Sequence, residues 1–239
     1  MSELLYQTDA YLKEFDARVT SVDLQTRSII LDQSAFYPGG GGQPCDFGIL
    51  HVDGGEYQVS KVKKQGDEVL HFVTGELALP AVGALAHGTI DWERRYKLMR
   101  THTALHILCG TVFRDYGALV TGGDMEPLQG RMDFEFERMQ AGLVHDIETA
   151  VNLEIVNAHD LRVKILPREE AFQIPDLIRT KINLLPDGIS RVRTVEIVGL
   201  DLQADGGTHV KNTSEVGRVR VVDYKSKGAI NKRIYIVIE

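Results

Sequence analysis

The pattern of the sequence changes at Asp91, and this change divides the chain into two parts with different expected structures. Before Asp91, short apolar stretches alternate with polar residues, as in residues 20–36 and on either side of Asp53-Gly54-Gly55. Alternation of this kind predicts half-buried strands, and the Asp-Gly-Gly step predicts a hairpin turn. We therefore predict that residues 1–88 form a small domain resembling a β-barrel.

The part of the chain after Asp91 combines helical and strand patterns. Apolar residues recur at helical spacing between Asp91, a suitable N-cap, and Gly117, a suitable stop. A second helix is predicted over about 138–158, and strands are predicted over 131–137, 161–166, 191–198, 216–224 and 233–239. Helices followed by several strands predict an α+β fold for residues 89–239, with two long helices on a mostly antiparallel sheet.

Composition limits the classes of protein that fit. The 239 residues are 43% hydrophobic and 26% charged, which suits a folded core and argues against a disordered chain. No apolar run approaches the roughly 20 residues of a membrane-spanning helix. Two cysteines, Cys45 and Cys109, exclude a disulfide framework, so we expect a reduced, cytoplasmic protein rather than one with a single bridge. The net charge of −7 argues against binding nucleic acid through bulk charge alone, although local basic patches can still do so.

Two histidines on the first predicted helix form a candidate metal site. His102 and His106 are four residues apart, so their imidazoles share one helix face about 6 Å apart along the axis. Two such nitrogens can bind one Zn²⁺, although a pair of ordinary helix histidines fits the spacing equally well. No Glu follows His102, so the H-E-x-x-H pattern of a metalloprotease is absent.

The segment Asp205-Gly206-Gly207-Thr208-His209 carries two further candidate ligands. Its paired glycines disfavour a helix and favour a tight turn, which would let Asp205 and His209 converge. An ordinary Gly-rich connection with a surface Asp and His is the alternative. Cys109 lies roughly 10 Å along the helix axis from His102, so we expect a small buried residue there rather than a ligand.

The glycine run in FYPGGGGQP and several basic clusters are candidates for contact with RNA. The run lacks the Gly-Lys-Ser/Thr of a phosphate loop, but its backbone N–H groups could approach RNA phosphates; a flexible hairpin tip is the alternative. The basic residues could follow an acceptor stem or be solvated faces. These residues are Lys61/Lys63/Lys64, Arg94/Arg95/Lys97/Arg100, Arg191/Arg193 and Lys225/Lys227/Lys232/Arg233.

Three of these segments resemble a known family in the same order. HTALH at 102–106, DGGTHV at 205–210 and FYPGGGGQP at 36–44 are similar to the signature segments of alanyl-tRNA editing proteins of the AlaX type, and the medium-length group is the nearest in layout. The resemblance implies hydrolysis of tRNA(Ala) mischarged with serine, with glycine as a second candidate. It also implies one Zn²⁺ held by His, His, Cys and His. His102, His106 and His209 match directly, whereas Asp205 stands in the place of the cysteine.

The Asp205 departure leaves three interpretations open. A carboxylate oxygen is an accepted Zn²⁺ ligand, and it would admit other divalent metals more readily than a thiolate. Asp205 could instead stay off the metal and hold a water, or the chain could be an inactive relative. We predict that Asp205 is a ligand.

The resemblance also implies roles for residues around the metal. Thr103 is implied to recognise the seryl hydroxyl, although a threonine bonded to helix carbonyls is the alternative. Asp124, in the segment 121–134 that resembles a substrate pocket, takes the place of a polar residue that is often Gln. For Gly122 and Gly123 of this segment, a turn is the alternative. Gly40, Gly41, Gly42 and Gln43 are implied to contact tRNA, and we add Lys225 and Lys227 from their charge. In relatives the residue after Pro38 is often polar, whereas here it is Gly39.

Three functions are therefore compared. The first is a zinc-dependent aminoacyl-tRNA deacylase acting on Ser-tRNA(Ala). The second is a hydrolase of small esters that uses the same metal site, and the third is a tRNA-binding relative that has lost catalysis through Asp205. The sequence leaves the oligomeric state, the general base and the bound metal open.

Overall fold

The computed structural model describes residues 2–136, 140–179 and 189–239. The chain divides into two compact units, Met1–Tyr96 and Lys97–Glu239, a few residues beyond the boundary predicted after residue 88. The strands of the first unit are β1 (Glu3–Leu4), β2 (Glu14–Asp23), β3 (Ser28–Leu31), β4 (Gln33–Ser34), β5 (Gly48–Val52), β6 (Gly55–Gln65), β7 (Glu68–Val73) and β8 (Leu85–Ile90).

Six strands of the first unit close into an antiparallel barrel in the order β2-β3-β7-β6-β5-β8. Alternate residues of β2, namely Phe15, Ala17 and Val19, point into the barrel and are buried, while the residues between them are exposed. The period of two in the sequence thus separates a filled interior from a solvated exterior. The predicted Asp53-Gly54-Gly55 hairpin joins β5 to β6.

The second unit contains most of the helical structure. Its elements, together with the helix that leads into it, are α1 (Trp92–Tyr116), β9 (Val120–Glu126), β10 (Gln129–Glu135), α2 (Ala141–Val156), β11 (Leu161–Pro167), α3 (Arg168–Ala171), β12 (Arg191–Ile197), β13 (Asp201–Ala204), β14 (Val219–Ser226) and β15 (Asn231–Ile238). Two antiparallel sheets result, with strand orders β14-β15-β10-β9 and β11-β12-β13.

Helix α1 is the central element of the second unit. Every residue from 101 to 112 is buried, so the middle of the helix is covered on all sides and not only on one face. On one side Thr101 accepts a hydrogen bond from Leu128 N in the β9–β10 turn at 2.8 Å. On another, a Cβ at Gly110 would lie 2.8 Å from Cβ of Asp201, so this glycine permits the close approach of β13.

Helix α2 packs against β14, an edge strand of the sheet β14-β15-β10-β9. The amide of Asn152 pairs with the backbone of Val219 in β14 through two hydrogen bonds, and Glu148 accepts one from Val221 N. Ile147 and Val151 of α2 are buried. These contacts use polar side chains of the helix to satisfy the backbone of β14.

The predicted α+β class is confirmed, including the barrel and the two long helices. The antiparallel strands form two sheets instead of one, and the additional strand β13 was not predicted. Gly122 and Gly123, for which a turn was the alternative interpretation, lie in strand β9. Residue 137 of one predicted strand and residues 138 and 139 of the second predicted helix lie outside the described residues.

Candidate metal centre

The first half of the candidate centre is carried by α1. Asp91 accepts a hydrogen bond from Arg94 N at 3.1 Å, so it is the N-cap that the sequence predicted. Further along the helix, His102 and His106 lie one turn apart with ring centroids 4.9 Å from each other. Both side chains are buried, which the apolar surroundings of the central helix explain.

The second half follows β13. Asp205 is the first residue after this strand, and its carboxylate Oδ2 accepts a hydrogen bond from Gly207 N at 2.7 Å. This local bond closes the turn that the paired glycines predicted. It also turns the chain so that His209 meets Asp205, with 3.0 Å between His209 Nε2 and Asp205 Oδ2.

The four side chains converge on one small volume. Donor atoms of His102, His106, Asp205 and His209 all lie within 4.8 Å of one another. The His209 ring centroid is 4.2 Å from that of His102 and 4.6 Å from that of His106. Asp205 Oδ1 is 3.5 Å from His102 Nε2 and 3.9 Å from His106 Nε2. Three imidazoles therefore surround one carboxylate.

Burial and mutual proximity set the charge state of this group. Burial, reinforced by the neighbouring His209, lowers the pKa of His102 well below its usual value. Burial also lowers the pKa of His209 to about 4, although the hydrogen bond with Asp205 opposes the shift. For Asp205, burial alone would raise the pKa of the carboxyl, but the surrounding imidazoles, His102 above all, hold it well below its usual value. At neutral pH the centre therefore offers neutral His102 and His209 and an ionised carboxylate.

This donor set fits a divalent cation. Imidazole nitrogens and a carboxylate oxygen are ordinary Zn²⁺ ligands, and they bind in the deprotonated forms that the pKa shifts favour. Nδ1 of His102 is buried and has no hydrogen-bond partner in the part of the chain that the structure describes. Such an orphaned atom is uncommon in a folded protein, and the other ring nitrogen, Nε2, is the one that faces Asp205.

Two residues contact the four clustered donors in ways that the spacing of the donors in the sequence does not indicate. Arg193 of β12 donates to the carbonyl oxygen of Asp205 at 3.0 Å, and the same Nη1 lies 3.6 Å from Asp205 Oδ2. Thr103 contacts His209, with 3.1 Å between Oγ1 and Nδ1. Neither alternative considered for Arg193, an RNA contact or a solvated face, fits the structure, because this side chain is buried beside the centre.

Asp124 and the two lysines lie on other elements of the same unit. Asp124 is exposed on the edge strand β9, 3.7 Å from Arg131, and is not one of the four clustered donors. Lys225 and Lys227 are exposed at the end of β14 and in the turn after it, and Lys225 pairs with Asp223 at 2.9 Å. Cys109 is buried, as expected, and is likewise outside the donor group.

The glycine run lies in the first unit and forms a defined loop. Gly39, Gly40, Gly41 and Gly42 all have positive φ, which explains why four glycines follow one another. Backbone hydrogen bonds join Gly40 and Gln43 in both directions, and Gly40 and Gly41 are exposed whereas Gln43 is buried. The tip of the loop is therefore the part that a partner can reach.

A buried ion pair holds the base of this loop. Asp46 accepts a hydrogen bond from Tyr37 N at 2.6 Å and pairs with Arg95, whose guanidinium also donates to the carbonyl oxygens of Ala10 and Ala35. Arg95 and Asp46 are essentially inaccessible to solvent. Neither alternative considered for Arg95, an RNA contact or a solvated face, fits the structure, because its guanidinium is paired with Asp46 inside the unit.

Each unit contains a segment that matches a known family model. Residues 6–94 match the family model described as tRNA synthetases class II (A), and residues 192–235 match that of the threonyl and alanyl tRNA synthetase second additional domain. Among the described residues, no helix is both long and apolar enough to cross a membrane. These two matches relate the chain to aminoacyl-tRNA synthetases.

Full-length relatives narrow this class. The chain is 41% identical over 243 residues to alanyl-tRNA editing protein AlaX-M of Saccharolobus solfataricus, covering 100% of both chains. It is 36% identical to the AlaX-M protein of Methanosarcina acetivorans over 100% of this chain and 99% of that one. It is also 38% identical to the alanine–tRNA ligase of Pyrococcus furiosus over 91% of this chain, which corresponds to 24% of the ligase. The chain belongs to the AlaX-M family of alanyl-tRNA editing proteins.

Proposed function

We propose that this chain is a trans-acting deacylase that hydrolyses tRNA(Ala) mischarged with serine, with glycine as a second candidate amino acid. The observation that carries the proposal is the cluster of three imidazoles and one carboxylate, which the segments 102–106 and 205–210 bring together. The full-length similarity to proteins named for alanyl-tRNA editing supports the substrate class.

The proposed cofactor is one Zn²⁺ held by His102, His106, Asp205 and His209. When bound, such an ion supplies Lewis acidity and can lower the pKa of a water molecule to about 7. The chain's own contribution is to hold the four donors in place. Gly207 N donates to the Asp205 carboxylate and Arg193 donates to the Asp205 carbonyl oxygen, and both bonds help to hold this residue beside the imidazoles. Because oxygen is a harder donor than sulfur, the site should accept other divalent metals as well.

A separate hydrolytic site is a physically reasonable way to discriminate serine from alanine on tRNA(Ala). A pocket built for alanine rejects an isostere with one extra hydroxyl by only about 100-fold. A site that hydrogen-bonds the hydroxyl can instead prefer serine over alanine by roughly 10⁴- to 10⁵-fold. We propose that Asp124, exposed on β9, contributes a polar contact to the bound aminoacyl group.

Recognition of the tRNA is proposed to involve both units. In the first unit, the exposed Gly40 and Gly41 form the tip of a loop that RNA phosphates or sugars can approach, while the adjoining Gly42 and the buried Gln43 support that tip. In the second unit, Lys225 and Lys227 offer exposed positive charge.

The decisive experiment compares Ser-tRNA(Ala) with Ala-tRNA(Ala), incubated with the purified protein before and after removal of metal by a chelator. We expect hydrolysis of the seryl ester, little hydrolysis of the alanyl ester, and recovery of activity when Zn²⁺ is restored. Binding of tRNA without hydrolysis under every metal condition would support the tRNA-binding relative instead. Hydrolysis of small esters with no effect on either tRNA would support the alternative hydrolase.

The role of Asp205 is tested by metal content. We expect Asp205→Ala to lose metal during purification and Asp205→Cys to retain Zn²⁺ more tightly, because a thiolate is the softer ligand. Elemental analysis and competition with a chromophoric chelator measure both. Unchanged Zn²⁺ retention in Asp205→Ala would remove Asp205 from the ligand set. It would not bear on whether the protein hydrolyses Ser-tRNA(Ala), which the preceding experiment tests.

A further inference from the structure

Thr103 lies next to the metal centre but does not belong to the donor group. It follows His102 directly on α1, and no part of it is accessible to solvent. Its Oγ1 lies 3.1 Å from Nδ1 of His209 and accepts a hydrogen bond from Val210 N at 3.3 Å. One hydroxyl thus connects the helical half of the centre to the segment that carries His209.

The hydrogen-bonding capacity of this hydroxyl is almost fully used. A hydroxyl has one proton to donate and two lone pairs that accept, and Val210 N occupies one lone pair. Nε2 of His209 faces the Asp205 carboxylate at 3.0 Å, and an ionised carboxylate only accepts. Nε2 therefore carries the ring proton, Nδ1 accepts, and Thr103 donates its proton to Nδ1.

The same contact suits His209 as a metal ligand. A ligating Nε2 must carry no proton, so the proton of the neutral ring sits on Nδ1 and is donated to Thr103 Oγ1. The hydroxyl can serve in both states because it is a donor in one and an acceptor in the other. A methyl group in its place would leave Nδ1 unpartnered and the ring free to tilt.

We propose that Thr103 is a positioning residue, which holds the His209 ring in the orientation and tautomer that metal binding requires. This differs from direct recognition of a seryl hydroxyl, because the side chain has no exposed surface and its hydroxyl is already engaged. Any effect of Thr103 on hydrolysis then passes through His209 and is independent of the amino acid on the tRNA.

Metal affinity of the intact protein tests this directly. Thr103→Val removes the hydroxyl and keeps the shape, and Thr103→Ser restores the hydroxyl. We expect Thr103→Val to weaken Zn²⁺ binding about 10- to 100-fold, as removal of a partner of a ligating histidine commonly does, and Thr103→Ser to stay within a few fold of the unaltered protein. Competition with a chromophoric chelator measures the affinity, and Thr103→Ala serves as a second hydroxyl-free variant if the valine variant does not fold.

The same helix supplies a matched control. Thr111 is also buried on α1, and its Oγ1 has no hydrogen-bond partner within the described ranges. Thr111→Val should therefore leave Zn²⁺ affinity unchanged. Equal affinities in Thr103→Val and Thr111→Val would overturn the proposal.

A second readout separates positioning from substrate recognition and rests on the proposed function. With Ser-tRNA(Ala) and Gly-tRNA(Ala), a positioning residue predicts that Thr103→Val lowers kcat/KM by a similar factor for both, since glycine has no hydroxyl to recognise. An effect confined to the seryl substrate, with metal affinity intact, would overturn the proposal. If the unaltered protein hydrolyses neither tRNA, the proposed function fails, while the metal measurement still decides the role of Thr103.

Discussion

At the scale of single residues, His71 shows how one buried histidine ties stability to pH. His71 is fully buried in the barrel, where Nδ1 donates to the carbonyl oxygen of Ile29 at 3.0 Å and Nε2 therefore accepts from Ser34 Oγ at 2.7 Å. The contact with Ser34 requires the neutral ring, since a protonated Nε2 could no longer accept, whereas Nδ1 donates in either charge state. Burial lowers the pKa of His71 from 6.5 to about 4.

The first unit should therefore lose stability as the pH falls. The unfolded chain binds a proton near pH 6.5 and the folded chain only near pH 4, so the contribution is complete above 6.5 and is lost on the way down to about 4. The full shift corresponds to about 3 kcal/mol. Urea unfolding followed by fluorescence of Trp92, the one tryptophan and a residue of the same unit, measures this change.

Two histidine variants identify the source of the pH dependence. His71→Gln should be less stable at neutral pH and should show a flatter profile between pH 6.5 and 4. His51→Gln, which removes an exposed histidine of β5, should keep the original slope. A His71→Gln profile as steep as that of the unaltered protein would assign the dependence to other groups.

Local spacing explains which site residues were predictable. His102 and His106 lie one helical turn apart, and Asp205 and His209 flank two glycines, so each pair can be found in a short segment. Thr103 and His209 are 106 positions apart, and a threonine between two histidines carries no sign of such a contact. The contact of Arg193 with Asp205 was not predictable, because nothing in the sequence of β12 distinguishes this residue from a surface arginine. Only the folded chain brings Asp205 beside it.

At the scale of elements, the sequence predicted where helices and strands lie better than it predicted what packs around them. The length and N-cap of α1 were predictable, but its burial on all sides was not, because that depends on strands distant in the sequence. Strand β9 was not predicted, because Gly122 and Gly123 interrupt its apolar pattern. Pairing with β10, which supplies the backbone hydrogen bonds, overrides that weak local preference.

The glycine loop offers an element-scale test of tRNA recognition with a closely matched control. Gly41 and Gly66 both have φ of +58°, both are exposed, and a Cβ at either would meet no atom within 4 Å. Aspartate tolerates this backbone conformation better than most residues, so Asp at either position should cost little stability. Gly41→Asp places negative charge at the proposed RNA contact, whereas Gly66→Asp places it in the β6–β7 turn.

We expect Gly41→Asp to raise KM for the aminoacyl-tRNA several-fold with little change in kcat, because like charge repels the phosphate backbone. Gly66→Asp should leave KM unchanged, and both variants should have similar Tm values. Steady-state deacylation and thermal unfolding provide the measurements. Equal KM values in the two variants would exclude the loop tip from the RNA contact.

At the scale of the whole molecule, the proposed function requires an acidic chain to bind a polyanion. The net charge of −7 disfavours RNA, and two of the predicted basic residues, Arg95 and Arg193, are buried in internal contacts. Lys225 and Lys227 remain exposed, and the ion pair of Lys225 with Asp223 is itself exposed, so releasing it should cost little. Local charge, and not the total, is therefore expected to govern binding.

Reversing both charges tests this expectation. Lys225→Glu with Lys227→Glu should raise KM for the aminoacyl-tRNA about tenfold or more at low salt. It should also reduce the dependence of log KM on log salt concentration by roughly one for each phosphate that the two lysines no longer neutralise. Deacylation assays over a range of salt concentrations give both quantities, and kcat should hold because the metal centre is untouched.

A second double reversal keeps the change in net charge constant. Arg162 and Lys164 are exposed on β11 and belong to none of the basic clusters considered for RNA contact, so Arg162→Glu with Lys164→Glu alters the total by the same amount. If only local charge matters, this variant keeps both its KM and its salt dependence, because screened charges away from the RNA path contribute little. Equal increases in KM for the two variants would mean that the overall field of the protein governs binding, and would remove the specific role assigned to Lys225 and Lys227.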